Sequence, residues 1–367
     1  MRLRELTAEQ RRIALDAIQL YEHFVELREE RRGYRGGLHW KKVGSKEYLV
    51  KTLDREGHQQ SLGPHSPATE ETYRTFTERK RELDERLKSI EREIRRKAKF
   101  CVAAGVNRVP RLSADIVRLL DANGLLGTRL IILGSHALYA YEMAAGVQLR
   151  AALLQTDDLD TLLDTKTELE LAGSIRSLGL LGILQKIDKT FRLARQRSFR
   201  AVNEKGFMVD LIRAPLERVG EAGPTSIGTG TDLVAEPLHG LEWLTAAPTM
   251  KQIVIAENGF PTRFVVPDPR VFALHKLWLS LQPTRDPIKR KRDFRQGEAV
   301  AQLALDYLNL RFDDAALKAL PTELSSMAPG LVDRRRARGA QTDHQETELP
   351  AGFDDIEPRS DIGTKNR

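Results

Sequence analysis

The sequence has little cysteine and no long apolar segment. A single cysteine, Cys101, stands among its 367 residues, which excludes an internal disulfide and a cysteine-rich zinc site. No stretch approaches the roughly 18 consecutive apolar residues of a membrane span. The N-terminus MRLRELTAEQRR also lacks the apolar region of a signal peptide. We therefore expect a cytoplasmic protein that has no membrane partner.

Several common catalytic motifs are also missing. The chain has no Gly-x-Ser-x-Gly around a nucleophilic serine, no Gly-x₄-Gly-Lys-Ser/Thr loop for phosphate, and no His-Glu-x₂-His zinc motif. The net charge is +7, and the isoelectric point is about 9.4. Such a charge permits an anionic partner, a nucleotide or a nucleic acid, but it does not require one.

The N-terminal region has the pattern of a helix, a β-meander and a second helix. Thr7 and Gln10 predict a capping box, and apolar residues follow at helical spacing as far as Leu27. Three short strands are predicted over 38–43, 46–53 and 58–62, and a charged helix with a heptad-like apolar stripe over 68–99. We expect a helical hairpin with a small meander over 1–110, which binds the acceptor or oligomerises. A coiled-coil dimer is the alternative to a hairpin within one chain.

Aromatic and basic side chains are interleaved in the predicted meander: Trp40, Lys41, Lys42, Tyr48 and Lys51. Strand alternation puts the even-numbered residues on one face and the odd-numbered ones on the other. In any register, at least one ring should share a face with a lysine. Such a face suits a nucleic acid through base stacking and phosphate contact. The alternative, which is the commoner arrangement, is a small ribbon packed on neighbouring helices.

From Leu112 onward, strand and helix patterns alternate. Strands are predicted over 129–133, 156–161, 199–202, 206–212, 252–257 and 262–266, with helices over 113–123, 136–145, 167–178 and 184–187. After Pro267 the pattern is helical over 269–281, 289–310 and 315–320, and the charged tail from 329 is expected to be disordered. We thus predict an α+β chain with a small mixed sheet flanked by helices over 111–266, and a C-terminal helical domain over 267–328.

Three carboxylates lie in strand-like apolar surroundings. Asp158 and Asp160 are two positions apart on one predicted strand, so they share a face while Leu159 points to the core. Their charges repel unless a cation neutralises them, and Mg²⁺ suits carboxylate and phosphate oxygens. Asp210, alone in the apolar segment FMVDLI, also needs a partner. Three such carboxylates can hold the two ions of an in-line phosphoryl transfer. The alternative is an acidic turn, with Asp210 capping a hairpin.

A glycine and a serine, Gly134-Ser135, directly follow a predicted strand and open a helix. Glycine lets the backbone approach a ligand closely. The free N–H groups at a helix N-terminus attract phosphate, and the Ser135 hydroxyl can donate a further hydrogen bond. This segment is therefore a candidate phosphate site.

Three segments in combination resemble the nucleotidyltransferase superfamily of DNA polymerase β: LGSHALYAYEMAAGV, TDDLD and FMVDLI. The signature of that superfamily is Gly-Ser, then Asp-x-Asp, then a later third aspartate. VPDPRVFALHKLWLS and KRKRDFRQG are similar to a bacterial nucleotidyltransferase-like family whose substrate is not known. The resemblance extends over about residues 130–310. The step from Gly134 to Asp158 is longer than usual in the superfamily, and the extra loop 146–155 is expected to shape a substrate site.

The resemblance implies an enzyme that moves a nucleoside monophosphate from an NTP to an acceptor hydroxyl. Asp158, Asp160 and Asp210 are the implied catalytic residues and ligands of Mg²⁺ or Mn²⁺, and Gly134, Ser135 and Lys276 the implied nucleotide-binding residues. The basic run 289–292 either contacts phosphate or forms a solvated turn. The implied partners are an NTP, an RNA, protein or small-molecule acceptor and, since the superfamily includes toxins, an antitoxin. The alternative is a non-catalytic nucleic-acid-binding or interaction protein with a degenerate core.

Overall fold

The computed structural model describes residues 3–53, 57–164, 173–215, 225–228, 230–314, 317 and 320–333. Parts of the helices predicted over 167–178 and 315–320 lie outside these residues, and so does the tail from residue 334. The sequence predicts a disordered tail from residue 329, but residues 329–333 are helical. None of the described helices is long and apolar enough to cross a membrane.

The cap predicted for the first helix of the N-terminal region is confirmed. The backbone N–H of Gln10 donates to Thr7 Oγ1 at 3.2 Å, and the Gln10 side chain accepts from the N–H of Thr7 at 3.0 Å. Ser66 and Thr69 form the same capping box at the start of the second long helix. In chain order the elements are β1 (Arg4–Glu5), α1 (Ala8–Gly33), β2 (Gly37–Val43), β3 (Lys46–Thr52), β4 (Gln59–Pro64) and α2 (Pro67–Ala103).

The two long helices pack antiparallel within one chain. Asp16, near the start of α1, pairs with Lys97 near the end of α2 at 2.9 Å. Arg31, near the end of α1, pairs with Asp84 of α2 at 2.6 Å. The predicted hairpin within one chain is therefore confirmed.

The meander is confirmed as a three-stranded antiparallel sheet, and its turn shifts the register between β2 and β3, so that a ring and a lysine share a face as predicted. The two-residue turn between β2 and β3 pairs Lys41 with Tyr48, so odd residues of β2 share a face with even residues of β3. Tyr48 therefore lies beside Lys41, not beside Trp40. The ring of Trp40 packs within the chain, 4.6 Å from the ring of His65 and 6.0 Å from that of Tyr73 on α2. These contacts favour the packed ribbon.

The rest of the chain forms a mixed α/β core and a C-terminal group of helices. The core elements are α3 (Arg111–Ala122), β5 (Leu130–Ile132), α4 (Gly134–Ala145), β6 (Val147–Gln148), α5 (Ala151–Leu154), β7 (Asp158–Leu163), α6 (Gly173–Gln185), β8 (Arg192–Leu193), β9 (Arg200–Val202), β10 (Met208–Arg213) and β11 (Glu236–Pro237). They are followed by α7 (Leu241–Ala246), β12 (Thr249–Ile255), β13 (Pro261–Pro267), α8 (Pro269–Leu281), α9 (Pro287–Asp306) and α10 (Thr322–Ser325).

The central sheet has the strand order β5-β7-β10-β9-β8, with β11 added to the end of β10. β7 and β10 are parallel in the middle, and β5 and β9 run antiparallel to them on either side. The inner parts of β7 and β10 are apolar and buried, which fits strands covered on both faces. The predicted α+β class with a small mixed sheet is confirmed.

Helix α9 is shorter than predicted at its C-terminus. It starts at Pro287, capped by the Asp286 carboxylate, and ends at Asp306 rather than at Leu310. Asn309 then adopts a positive φ of 52°, a conformation that does not continue a right-handed helix.

A buried carboxylate joins α1 to the core. Asp121 of α3 accepts hydrogen bonds from Arg28 of α1 and from Arg263 of β13, the latter from Nε at 3.0 Å, and its side chain is only 1% exposed. Apolar packing also joins α1 to the core: Tyr21 of α1 packs in one hydrophobic cluster with Ile253 of β12. The boundary predicted at residue 110 therefore runs through a shared core.

Candidate active site

The central strands bring three aspartates together. β7 and β10 are neighbours, and their register sets Asp160 directly beside Asp210; adjacent strands lie about 4.8 Å apart. Asp158 is two residues before Asp160 on β7 and therefore on the same face. Asp157 precedes the strand and is exposed. The structure thus groups the three predicted carboxylates at one end of the parallel strand pair.

Asp160 occupies the least favourable position for a negative charge. The surrounding protein dehydrates its carboxylate, and Asp158 and Asp210 repel it, which together raise the pKa of Asp160 to about 6. The positive charges of Lys276 and Arg200 oppose this shift. Part of the residue remains accessible at the floor of a cleft. A cation or a proton at this position would relieve the repulsion.

Gly134 lies against the Asp160 carboxylate. The N–H of Leu133 donates to the backbone carbonyl of Asp160 at 3.0 Å, and the chain then turns at Gly134 with a φ of 61°. A Cβ atom at Gly134 would overlap with the Asp160 carboxylate. Glycine is therefore required both by the left-handed backbone and by the close approach. None of the described side chains caps the N-terminus of α4 here.

Asp210 is held by an arginine that the sequence patterns did not single out. Arg200 of β9 stands directly opposite Asp210 across the antiparallel pair. Its Nε donates to one carboxylate oxygen at 2.7 Å and its Nη2 to the other at 2.6 Å. Asp210 is 5% exposed, so this bidentate pair neutralises a buried charge.

The hydroxyl of Ser135 points into the protein rather than into open solvent. Ser135 is 5% exposed, and its Oγ accepts a hydrogen bond from the Gln296 side chain of α9 at 3.0 Å. The same Gln296 nitrogen donates to the carbonyl of Leu153 at 2.7 Å. Gln296 therefore joins the predicted phosphate segment to α5 and α9.

Lys276 is anchored on a buried aspartate. Its Nζ donates to Asp293 Oδ1 at 2.7 Å, and Arg285 Nε donates to Asp293 Oδ2 at 2.9 Å. Burial opposes ionisation of Asp293, but the two cations outweigh it and hold the pKa of this carboxyl below its usual value. The predicted Lys276 is thus fixed at the site, with Asp293 and Arg285 as partners.

An apolar and aromatic cleft of about 470 Å³ opens above the carboxylates. Gly134, Asp160 and Lys276 form part of its lining, and Trp278 and His275 form part of its wall, with their rings stacked at 5.9 Å. Burial, reinforced by the charge of Lys276, lowers the pKa of His275 to about 3, so that its ring is neutral. Among the described residues, none from 146 to 155 lines this cleft. That this extra segment shapes a substrate site stays a prediction; its β6 pairs with β1.

The comparison with protein families decides how this site is to be interpreted. Residues 111–321, more than half of the chain, match the model of a family described as nucleotidyltransferase. The chain belongs to this nucleotidyltransferase family. No curated protein and no solved structure matches it. The matched residues include the three aspartates, the Gly134 turn, Lys276 and the whole aromatic cleft.

The chemistry of the nucleotidyltransferase site suits a divalent cation at two of its carboxylates. Asp158 and Asp160 offer oxygen ligands on one strand face, and burial together with repulsion by Asp158 and Asp210 raises the pKa of Asp160. Yet among the described residues no group of three or more His, Cys, Asp or Glu side chains is arranged to hold a metal ion. Arg200 takes up both oxygens of Asp210, so the predicted set of three ligands is not preformed.

The sequence patterns missed several residues of the nucleotidyltransferase site. Arg200 meets Asp210 only through the pairing of β9 with β10. Gln296 contacts Ser135, which is 161 residues away along the chain. Arg285 lies in a loop without a motif. The cleft wall is the exception, because His275 and Trp278 flank Lys276 in the segment VFALHKLWLS. His275 and Trp278 are three residues apart on the helix that carries the predicted Lys276. This spacing could have indicated that the two rings lie on the same face of that helix.

Proposed function

We propose that this chain transfers a nucleoside monophosphate from an NTP to an acceptor hydroxyl. The observation that carries the proposal is the grouping of Asp158, Asp160 and Asp210 beside the Gly134 turn, in a chain of a nucleotidyltransferase family. The resemblance of the sequence motifs to the polymerase β superfamily agrees with this arrangement.

In this proposal Asp158 and Asp160 hold Mg²⁺ or Mn²⁺, and Asp210 completes the ligand set once Arg200 releases it. The bound ion supplies charge neutralisation to the phosphates and polarises the acceptor oxygen. Asp210 also takes up the proton of the acceptor hydroxyl, since it lies beside Asp160 on the next strand. Until then Arg200 holds both oxygens of Asp210 in a fixed orientation.

The nucleotide binds along the opposite wall. The N–H groups at the start of α4, Gly134 and Ser135, receive the β- and γ-phosphates, which leave as pyrophosphate when the acceptor oxygen bonds to the α-phosphorus, and Lys276 adds positive charge. Lys276 is well placed for this because Asp293 fixes its ammonium group beside the cleft. The aromatic wall supplies faces on which a base can stack.

The acceptor is an RNA end, a protein side chain or a small molecule, and the chain is a toxin-like enzyme if an antitoxin partner is found. Incubation with α-labelled NTPs, Mg²⁺ or Mn²⁺ and a cell extract identifies which species gains label. Asp160→Asn should abolish labelling, whereas Asp157→Asn should retain it, because Asp157 is an exposed neighbour with the same charge. Equal labelling by wild type and Asp160→Asn would refute the assignment.

One observation favours a second candidate function, a non-catalytic binding protein with a degenerate site. The bidentate pair between Arg200 and Asp210 already satisfies the third carboxylate. If this pair is permanent, the protein binds nucleotide without transferring it. Calorimetric NTP binding without label transfer to any species, under all metal conditions, would establish this second candidate.

A further inference from the structure

A buried nitrogen in the wall of the cleft has no hydrogen-bond partner. His275 of α8 lines the cleft and is only 6% exposed. Its Nε2 atom makes no hydrogen bond to any of the described residues, although the large majority of buried polar side-chain atoms in proteins are paired. A buried donor or acceptor without a partner destabilises the folded state. A ligand that supplies the missing hydrogen bond would remove this cost.

The unpaired nitrogen lies at the boundary of the cleft. Gly240 directly precedes α7, and a Cβ atom on it would lie 3.4 Å from His275 Nε2 and 2.9 Å from the ring of Trp278. The neighbours of Gly240 along the chain, His239 and Leu241, line the same cleft, as Trp278 does. The Nε2 atom is therefore flanked by residues that line the cleft.

The wall around His275 is mostly apolar. Leucine, phenylalanine and tryptophan side chains form this part of the cleft: Leu238, Leu241, Leu244, Phe272, Trp278 and Leu279. An apolar wall with a single hydrogen-bonding group suits a flat ligand group that has polar atoms on its edge. A nucleobase has this character, since proteins hold its faces with apolar and aromatic side chains and its edge with hydrogen bonds.

The cations of the cleft suit phosphates, whereas His275 does not. Lys276 and Arg285 also line the cleft, and Asp293 holds them at 2.7 Å and 2.9 Å respectively. Burial, reinforced by the charge of Lys276, lowers the pKa of His275 to about 3, so its ring is uncharged at neutral pH. A neutral imidazole has one donor and one acceptor nitrogen, which matches the uncharged edge of a base rather than a phosphate.

We propose that His275 recognises the base of the bound NTP through a hydrogen bond of Nε2 and thereby contributes to the choice among the four nucleotides. The inference rests on the proposed function for the identity of the substrate and adds a residue that determines specificity. The four bases differ in the donors and acceptors on their edges, so one fixed hydrogen bond favours some bases over others. The base of the NTP fits better than that of an acceptor, because Lys276 and Arg285 in the same cleft can bind its phosphates.

The base can reach Nε2 only if the segment that covers this atom moves. Gly240 lies against Nε2, and Leu238 in the same segment is 42% exposed. Trp243 of α7 packs edge-on against Trp278, with 4.8 Å between the ring centroids. A shift of the segment alters this contact. Tryptophan fluorescence should therefore change when an NTP binds but not when inorganic triphosphate, which has no base, binds.

The test measures binding to the full-length chain by calorimetry in Mg²⁺. The ligands are inorganic triphosphate and the α,β-methylene analogues of ATP, GTP, CTP and UTP, which cannot release pyrophosphate. The wild type should bind one analogue at least about fivefold more tightly than the least favoured one, a factor that corresponds to one hydrogen bond. His275→Phe keeps a ring but has no hydrogen-bonding atom. In this variant the ratio should fall towards one, and the affinity for inorganic triphosphate should not change.

Two further variants separate the hydrogen bond from the ring. His275→Gln retains a donor and an acceptor at the end of its side chain and should keep part of the base preference. His65→Phe is the matched control, because it makes the same substitution in a histidine whose ring lies 4.6 Å from that of Trp40 in the meander; it should bind as the wild type does. Thermal unfolding checks that each variant is folded. If the larger phenylalanine ring does not fit, His275→Leu takes its place.

Four outcomes would overturn the inference. The wild type could bind all four analogues equally, His275→Phe could leave the base preference unchanged, or it could weaken inorganic triphosphate as much as the analogues. In the fourth, His275→Phe alters the choice among RNA acceptors but not among NTPs, which would assign His275 to the acceptor.

Failure of this inference is distinguishable from failure of the proposed function. A base preference that depends on His275, without nucleotide transfer to any species, supports the inference and refutes the transferase. Nucleotide transfer with the same preference among the four NTPs in the wild type and in His275→Phe does the reverse.

Discussion

Asp160 carries the charge that the folded protein tolerates least. Dehydration, together with repulsion by Asp158 and Asp210, raises the pKa of Asp160 to about 6, against about 3.9 in an unfolded chain. Because the folded state holds this proton more tightly, the stability of the metal-free protein should fall as the pH rises from about 4 to about 6. The corresponding loss in the free energy of unfolding is at most about 3 kcal/mol.

Asp160→Asn removes that charge and should therefore stabilise the metal-free protein. At pH 7.5 we expect a free energy of unfolding about 1–3 kcal/mol above that of the wild type, and at pH 4 little difference. Urea denaturation in EDTA at both pH values measures this difference in the free energy of unfolding. Asp157→Asn is the control for the loss of charge alone. A gain that is the same at both pH values would contradict this account.

Arg200 occupies both oxygens of Asp210, so the proposed metal ligation by Asp210 requires their separation. Arg200→Ala leaves the Asp210 carboxylate, 5% exposed, without its bidentate partner, and should lower the free energy of unfolding by about 1–3 kcal/mol in EDTA. If Asp210 is a ligand, Mn²⁺ takes the place of the guanidinium and restores part of this loss. Urea denaturation with and without Mn²⁺ measures the difference. An identical loss under both conditions would show that Asp210 binds no ion.

The site could be predicted only as far as its residues follow local patterns. Asp158, Asp160 and Gly134 stand out because strand alternation and a glycine after a strand are visible in a single segment. Arg200 and Gln296 could not be found in this way. Arg200 reaches Asp210 through the register of β9 on β10, and Gln296 reaches Ser135 from a helix far along the chain.

At the scale of elements, the start of α4 is fixed by the contact between Gly134 and Asp160. Gly134→Ala should lower the free energy of unfolding by about 1–2 kcal/mol because of the positive φ alone. The loss should be larger still because the added methyl group overlaps with the Asp160 carboxylate. Nucleotide transfer should be abolished. Gly44→Ala is the matched control, since Gly44 has a φ of 63° in open space. Thermal unfolding and labelling assays compare the two variants, and equal effects on both would exclude a special role of the contact.

Helices and strands whose ends are marked by neighbouring residues, such as caps and turns, could be predicted well. Those whose ends depend on contacts with distant residues could not. The capping box of α1 and the turn between β12 and β13 follow from adjacent residues. The sequence predicts a helix break near residue 179, but not its cause. Gly179 adopts a φ of 66°, and the carboxylate of Asp232 accepts the N–H groups of Leu180 and Leu181 at 3.0 Å and 2.8 Å.

At the scale of the whole molecule, the N-terminal hairpin and the core are connected by charge as well as by apolar packing. Asp121 joins Arg28 of the hairpin to Arg263 of the core, and all three side chains are largely buried. Breaking a buried pair by removing one partner typically costs about 3–5 kcal/mol. The hairpin should therefore unfold together with the nucleotidyltransferase core rather than before it.

The three tryptophans make this testable, because Trp40 lies in the meander while Trp243 and Trp278 lie by the cleft. Variants that retain either Trp40 or the cleft pair should show coincident urea transitions. Asp121→Asn should lower both midpoints together, by about 3–5 kcal/mol in the free energy of unfolding. The control Asp84→Asn breaks a half-exposed pair within the hairpin and should cost about 1 kcal/mol or less. A Trp40 transition that precedes the other one and is insensitive to Asp121→Asn would mean that the hairpin folds independently of the core.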